Sequence, residues 1–237
     1  EINIFTEVVL MYFQFFLAAL LIIIFISSSV KVKKTRQEIV QKPSPHLGNE
    51  ALLSYAATLS KQDEIMPGKR GISFLLSRMQ ENYRYIAAAY RRLNKSLRDK
   101  KRVSDNAEWL FDNFYIIEQQ TRQISLSIKK KNYATLPIIR SGAYHGYPRI
   151  FALVHELVSH TDSVVNQDTL INFVNVYQKN LRLRDEEIWS LETMIRIALI
   201  ENIRMICNEI METQEQYEAA GELSKELWNV RDRRDKI

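Results

Sequence analysis

MIRIALIENIRMI, residues 194–206, is apolar over more than half of a helical circumference and predicts the central helix of an all-α bundle. Working back from it, Asp185 is the expected cap of a helix from about residue 186 to 217, and Asp168 the cap of another over residues 169–181. Pro148 suits a first helical turn, where its missing N–H costs nothing, and Ile150, Phe151, Leu153, Val154, Leu157 and Val158 give that helix its buried stripe. Further upstream, Asp105 stands three residues before Glu108, as in a capping box. Trp109, Phe114, Ile116, Ile117, Ile124 and Ile128 then carry an apolar face to about residue 129.

Ser73 opens an expected helix to about residue 100, with Leu75, Leu76, Met79, Tyr83, Ile86, Tyr90 and Leu93 recurring every three or four positions. Tyr83, Tyr85 and Tyr90 at this spacing read as core-edge packing, ring inside and hydroxyl wet. A short helix is expected over about residues 50–61, and MPGKRG, residues 66–71, is a turn. Pro137, Gly142, Gly146 and Pro148 hold an ordered loop. No strand alternation, hairpin signal or internal repeat is evident.

Residues 8–30, VVLMYFQFFLAALLIIIFISSSV, predict a transmembrane helix. At 1.5 Å per residue the stretch reaches roughly 34 Å, enough for a hydrocarbon core of about 30 Å. Glu1 and Glu7 precede it, and Lys31, Lys33, Lys34 and Arg36 follow, so the positive-inside rule puts the rest of the chain in the cytosol, at the inner membrane. Gln14 is read as a tolerated or packed polar residue. The expected organisation is a membrane anchor over residues 1–30, a juxtamembrane linker over 31–49, a helical connector over 50–103 and a helical domain over 104–237. A first residue that is Glu1 and a last stretch of charges read as cuts in a longer chain.

The net charge of +5 comes from basic clusters at residues 31–36, 91–102, 129–131 and 231–236, with acids between them. No nucleic-acid reading module accompanies them, so nucleic acid is not an expected partner. Cys207 is the lone cysteine and sits in an apolar helical run, which reads as a buried reduced thiol.

HELVSH, residues 155–160, invites comparison with a zinc-protease helix. That motif needs histidines four apart, and His155 and His160 are five apart, roughly 140° around a regular helix. Glu156 and His160 share a face, with no third ligand identifiable, so a hydrogen bond along the helix is expected. His160, Thr161, Asp162 and Ser163 are read as a helix ending that satisfies free backbone groups. There is neither a nucleophile elbow nor a Gly-rich phosphate loop. Glu192, Arg196, Glu201 and Arg204 lie at ion-pair spacings, with Glu201 and Arg204 a candidate buried pair within the most apolar helix. No catalytic, cofactor-binding or metal-ligating residue is assigned.

Five blocks occur in a distinctive order: AEWLFDNFYIIEQQTRQI, YATLP, GYPRIFALVHELVSHTDS, LINFVNVYQ and IWSLETMIRIALIENIR. Over about residues 104–210 they resemble the helical segment near the N-terminus of the cyclic β-1,2-glucan synthases. Phe111, where an aliphatic residue is expected, and the basic loop at 127–131 depart from the pattern. The resemblance implies a parent glucosyltransferase that polymerises glucose from UDP-glucose on itself with the help of a divalent metal, closes the glucan into a ring, and trims it by phosphorolysis. D-x-D and Q-x-x-R-W motifs are absent here, so the reaction centre is expected in other parts of the parent. This segment is then a non-catalytic, scaffolding or regulatory domain whose partners are the membrane and the remaining domains of the same polypeptide. The alternative is a free-standing membrane-anchored helical adaptor or sensor.

Overall fold

The computed structural model describes residues 45–68, 71–130, 133–161 and 163–234. Its helices are α1 (Asn49–Gln62), α2 (Gly71–Arg98), α3 (Asp105–Lys130), α4 (Arg149–His160), α5 (Gln167–Gln178) and α6 (Asp185–Arg234). Residues 41–237 make one compact unit, in which α6 packs against α2, α3 and α4, while α1 packs on α5.

The buried positions explain why these helices pair. Along α2, Leu75, Met79, Asn82, Ile86, Ala89, Leu93 and Ser96 are buried in alternating steps of four and three residues. Along α3, Ala107, Leu110, Ile117, Thr121, Ile124 and Ile128 continue the same rhythm, with half-buried Phe114 filling the gap. Such a repeat keeps one narrow seam facing a neighbouring helix. Each fully buried Leu or Ile contributes about 1.5–3 kcal/mol. Short α4 is buried nearly all round, with Ile150, Phe151, Leu153, Val154, Leu157 and Val158 all in the core.

The seam of α3 differs from the expected one. Trp109 is 45% exposed and Ile116 39%, because they fall outside the three- and four-residue repeat that Ala107, Leu110, Ile117 and Ile124 set. Position in the repeat, rather than hydrophobicity alone, chooses the face: Ile116 is out and its neighbour Ile117 is in. Tyr83, Tyr85 and Tyr90 sit at the seam's edge: Tyr90 stacks on Phe114 with ring centroids 4.0 Å apart, and the Tyr85 hydroxyl donates to Asn208 Oδ1 at 2.8 Å.

The helix starts also shift. Asn166, not Asp168, caps α5, its Oδ1 accepting from Thr169 N at 2.7 Å. Ser104 precedes α3, its carbonyl accepting from Ala107 N at 2.8 Å, so Asp105 is already helical. At α6 the Glu187 carboxylate accepts from Arg184 N at 2.9 Å, the reciprocal half of a capping box, in place of the expected Asp185 cap. This last helix runs on past residue 217 to Arg234, since nothing in EAAGELSKELWNVRDRR forces a stop beyond the tolerable Gly221.

Two short strands, absent from the expectation, tie the loops together. In them β1 (Ile65–Met66) pairs antiparallel with β2 (Ile138–Ile139), Ile65 opposite Ile139. Two residues per strand are too few to show an alternating pattern. Gly146, at φ +82°, turns the chain so that its N–H reaches the Ile139 carbonyl at 2.9 Å. Gly68 in the expected 66–71 turn packs so closely that an added Cβ would meet the Leu136 carbonyl oxygen at 2.0 Å.

The fold-class expectation needs correction in its membrane component. Among the described residues no helix is long and apolar enough to cross a membrane. Ionic side chains interrupt each long helix: Arg78, Glu81 and Arg84 in α2, and Glu187, Glu192, Arg196 and Glu201 in α6. The expected anchor at residues 8–30 lies outside the described residues. What the structure supports is the helical bundle with its small strand pair.

Candidate functional site

Polar and charged side chains in the interior hold the helices to one another. At the start of α4, Arg149 is 1% exposed and faces Glu187, which is 0% exposed, across the α4–α6 contact. Arg149 Nε donates to Glu187 Oε1 at 2.9 Å, and Nη2 donates to Oε2 and to the Arg182 carbonyl. Nη1, though buried, has no acceptor. One carboxylate thus caps α6 and anchors the first turn of α4.

A second interior carboxylate, Glu201, is 1% exposed. Its expected partner Arg204 lies instead over the Tyr85 ring, with the guanidinium carbon 5.0 Å from the centroid. Glu201 takes Arg78 of α2 in a forked pair, Nε donating at 3.0 Å and Nη2 at 2.5 Å, and accepts from the Asn82 amide as well. The adjacent Asn202 donates to Ser163 Oγ, holding that residue after α4 in its left-handed conformation at φ 64°. Glu192 and Arg196 form the expected exposed i,i+4 pair at 2.5 Å.

Tyr55 and His160 meet at Glu156, where α4 passes α1. Tyr55 donates to Glu156 Oε2 at 2.7 Å, and His160 Nε2 lies 3.5 Å from the same oxygen. The other His160 nitrogen, Nδ1, faces the Pro45 carbonyl at 2.9 Å, and the His160 carbonyl accepts from Leu47 N at 3.1 Å. His160 therefore fastens the chain leading into α1. Thr161 closes α4 as expected of a polar ending, its Oγ1 donating to the Leu157 carbonyl at 2.9 Å. The structural description does not extend to Asp162.

His155 points elsewhere and shares a 2.7 Å hydrogen bond with the Tyr144 hydroxyl through Nδ1. Burial lowers its pKa from 6.5 and keeps the ring neutral, while burial and then Glu156 push the Tyr144 hydroxyl up. The two histidines thus serve separate partners, in line with their angular separation on the helix. Among the described residues, no three His, Cys, Asp or Glu side chains converge as a metal site.

Two interior contacts escape sequence reasoning. Asp63, just beyond α1, accepts from Tyr177 of α5 at 2.7 Å, and burial raises its carboxyl while Tyr177 and Arg149 oppose that shift. Asn180 donates to Ser60 Oγ at 2.9 Å across the same contact. The partners stand 114 and 120 residues apart in sequence, so no local pattern could announce them. Cys207 is buried at the α6 seam, as its apolar run suggests, and burial pushes its thiol up to about 11.

A solvent-facing depression of about 320 Å³ lies along the last turns of α2, lined by Tyr90, Arg91, Asn94, Lys95, Arg98 and Asp99. It is apart from the Glu156 cluster and from both interior ion pairs.

No protein-family model matches the chain. In sequence it is 28% identical over 178 residues to the cyclic beta-(1,2)-glucan synthase NdvB of Rhizobium meliloti (strain 1021). The match takes in 75% of this chain but only 6% of that protein's length. The similarity supports the relationship to the cyclic β-1,2-glucan synthases that the ordered sequence blocks suggest.

Proposed function

We propose that this chain is a non-catalytic helical segment of a larger cyclic β-1,2-glucan synthase-like glucosyltransferase, in which it scaffolds the remaining domains of the same polypeptide. One observation carries the reading: the most distinctive residues of the shared blocks are engaged in holding helices together. Arg149 of GYPR, His160 and Ser163 of HTDS, and Glu201 and Asn202 of ALIENIR all make such interior contacts. A block whose polar residues are engaged in contacts within the fold has few groups left to act on a substrate. UDP-glucose and the divalent metal would then be handled by other regions of the polypeptide.

The test uses membranes carrying the full protein, with and without residues 104–210, supplied with labelled UDP-glucose. Loss of incorporation or an altered ring-size distribution is expected. Unchanged amount and ring size would overturn the scaffold reading. Transferase motifs in the reading frame downstream of residue 237 are expected as well, and a stop codon there would contradict the proposal.

A further inference from the structure

The C-terminal half of α2 carries two sets of cations that the fold treats differently. On one flank, Arg92 pairs with Glu215 at 2.9 Å and Glu218 at 3.5 Å, and Lys101, three residues past the helix, approaches Glu218 at 4.0 Å. These pairs fasten α2 to α6. On the other flank Arg91, Lys95 and Arg98 are exposed at spacings of four and three residues, and Arg84 extends the same stripe seven residues earlier. None of these four is within ion-pair distance of a carboxylate among the described residues, although Glu118 and Arg122 of α3 stand near Tyr83 beside Arg91. Like charges at these spacings destabilise a helix, so the stripe is not explained by the stability of α2. Lys95 and Arg98 do complement the helix dipole, but Arg91 lies too far from the end to share in that.

Three of the four cations line the depression described above, together with Tyr90 and Asn94. Asp99 is the single carboxylate on its rim. Cationic groups on one helix face, separated by one helical turn and converging on a concavity, match an anion carrying charge at more than one oxygen cluster. We propose that Arg91, Lys95 and Arg98, with Asn94, form a binding site for a phosphate-bearing anion of at least two negative charges. The site is independent of the scaffold reading, since it rests on residues outside the sequence blocks that carry it.

The shared chemistry admits a soluble diphosphate or the headgroups of an anionic lipid surface, and two arms separate them. The full chain is titrated calorimetrically with inorganic pyrophosphate at low ionic strength. In parallel it is sedimented with phosphatidylglycerol vesicles and with phosphatidylcholine vesicles. The triple variant R91Q/K95Q/R98Q is compared with the control K61Q/K179Q/K225Q, which removes equal charge elsewhere. Circular dichroism establishes that both variants stay folded, as expected for exposed positions. Saturable binding in one arm, weakened at least tenfold in the first variant and less than twofold in the control, supports the site and names its source. Absence of saturable binding in both arms, or equal weakening in the two variants, overturns it.

Discussion

Arg149 and Glu187 offer the sharpest perturbation, because both are almost fully buried and the contact joins the ends of two helices. Replacing Arg149 by Met removes the cation and leaves a carboxylate that is 0% exposed without its counter-charge. Breaking a buried pair from one side costs about 3–5 kcal/mol. Against a total of roughly 5–15 kcal/mol, that is a large share of the stability. The double variant R149M/E187Q should behave differently. Its substituted amide would keep an oxygen for Arg184 N, preserving the cap of α6, while no charge stays buried. The orphaned Arg149 Nη1 is removed too, so most of the loss should return. Urea unfolding of the full chain, followed by circular dichroism, measures both. With a slope of about 2 kcal/mol per molar, the single variant should lower the midpoint by about 2 M. The double should recover at least half of that. If the R149M and E187Q effects simply add to within about 0.5 kcal/mol, the two groups are not coupled and the account of α4 docking fails.

Other consequences follow from the same geometry. Asn166→Ala should destabilise by about 1 kcal/mol through loss of the α5 cap, whereas Asp168→Asn should stay within about 0.5 kcal/mol; the ranking of melting midpoints decides between the two as the cap. Arg78→Met, which removes the cation paired with Glu201, should cost several-fold more stability than Arg204→Met in urea titrations, and equal costs would contradict the observed partner. Because burial lowers the His155 pKa, the unfolded chain binds its proton first, so stability is full above about pH 6.5 and declines as pH falls below it. His155→Gln should flatten that limb of the pH–stability curve relative to the parent, and an unchanged limb would refute the assignment. Cys207, buried and with its thiol pushed up to about 11, should react with a thiol reagent only as fast as the chain opens; rapid modification of the folded protein would place it at the surface instead.

The periodic helices are readable because each repeats one physical demand along its length. The start of α4 after Pro148, the buried stripe of that helix and the central place of residues 194–206 all follow from local spacing and the stiffness of proline. What escapes is set at long range. Glu201 looks like the partner of Arg204 because sequence shows only neighbours along one helix, while Arg78 lies 123 residues away. The sequence alone names only Asp185 as the cap, while Glu187 both accepts from Arg184 N and pairs with Arg149, 38 residues away. Hydrophobicity assigns Trp109 to the core, yet the buried repeat of α3 runs through Ala107 and leaves Trp109 45% exposed. As for function, the angular argument separates His155 from His160, and the structure gives each its own partner. The basic stripe of residues 91–98 is visible as a charge cluster, but its unequal pairing on two flanks needs the neighbouring helix α6.

In the proposed scaffold, the interior polar residues of the blocks that carry the resemblance hold the fold together rather than touch substrate. Glucan formation from labelled UDP-glucose, measured in the full proposed synthase for wild type, R149M and R149M/E187Q, tests it most directly. The account predicts that R149M loses activity with its stability and that the double variant regains both. A double variant restored in stability but still inactive would contradict it.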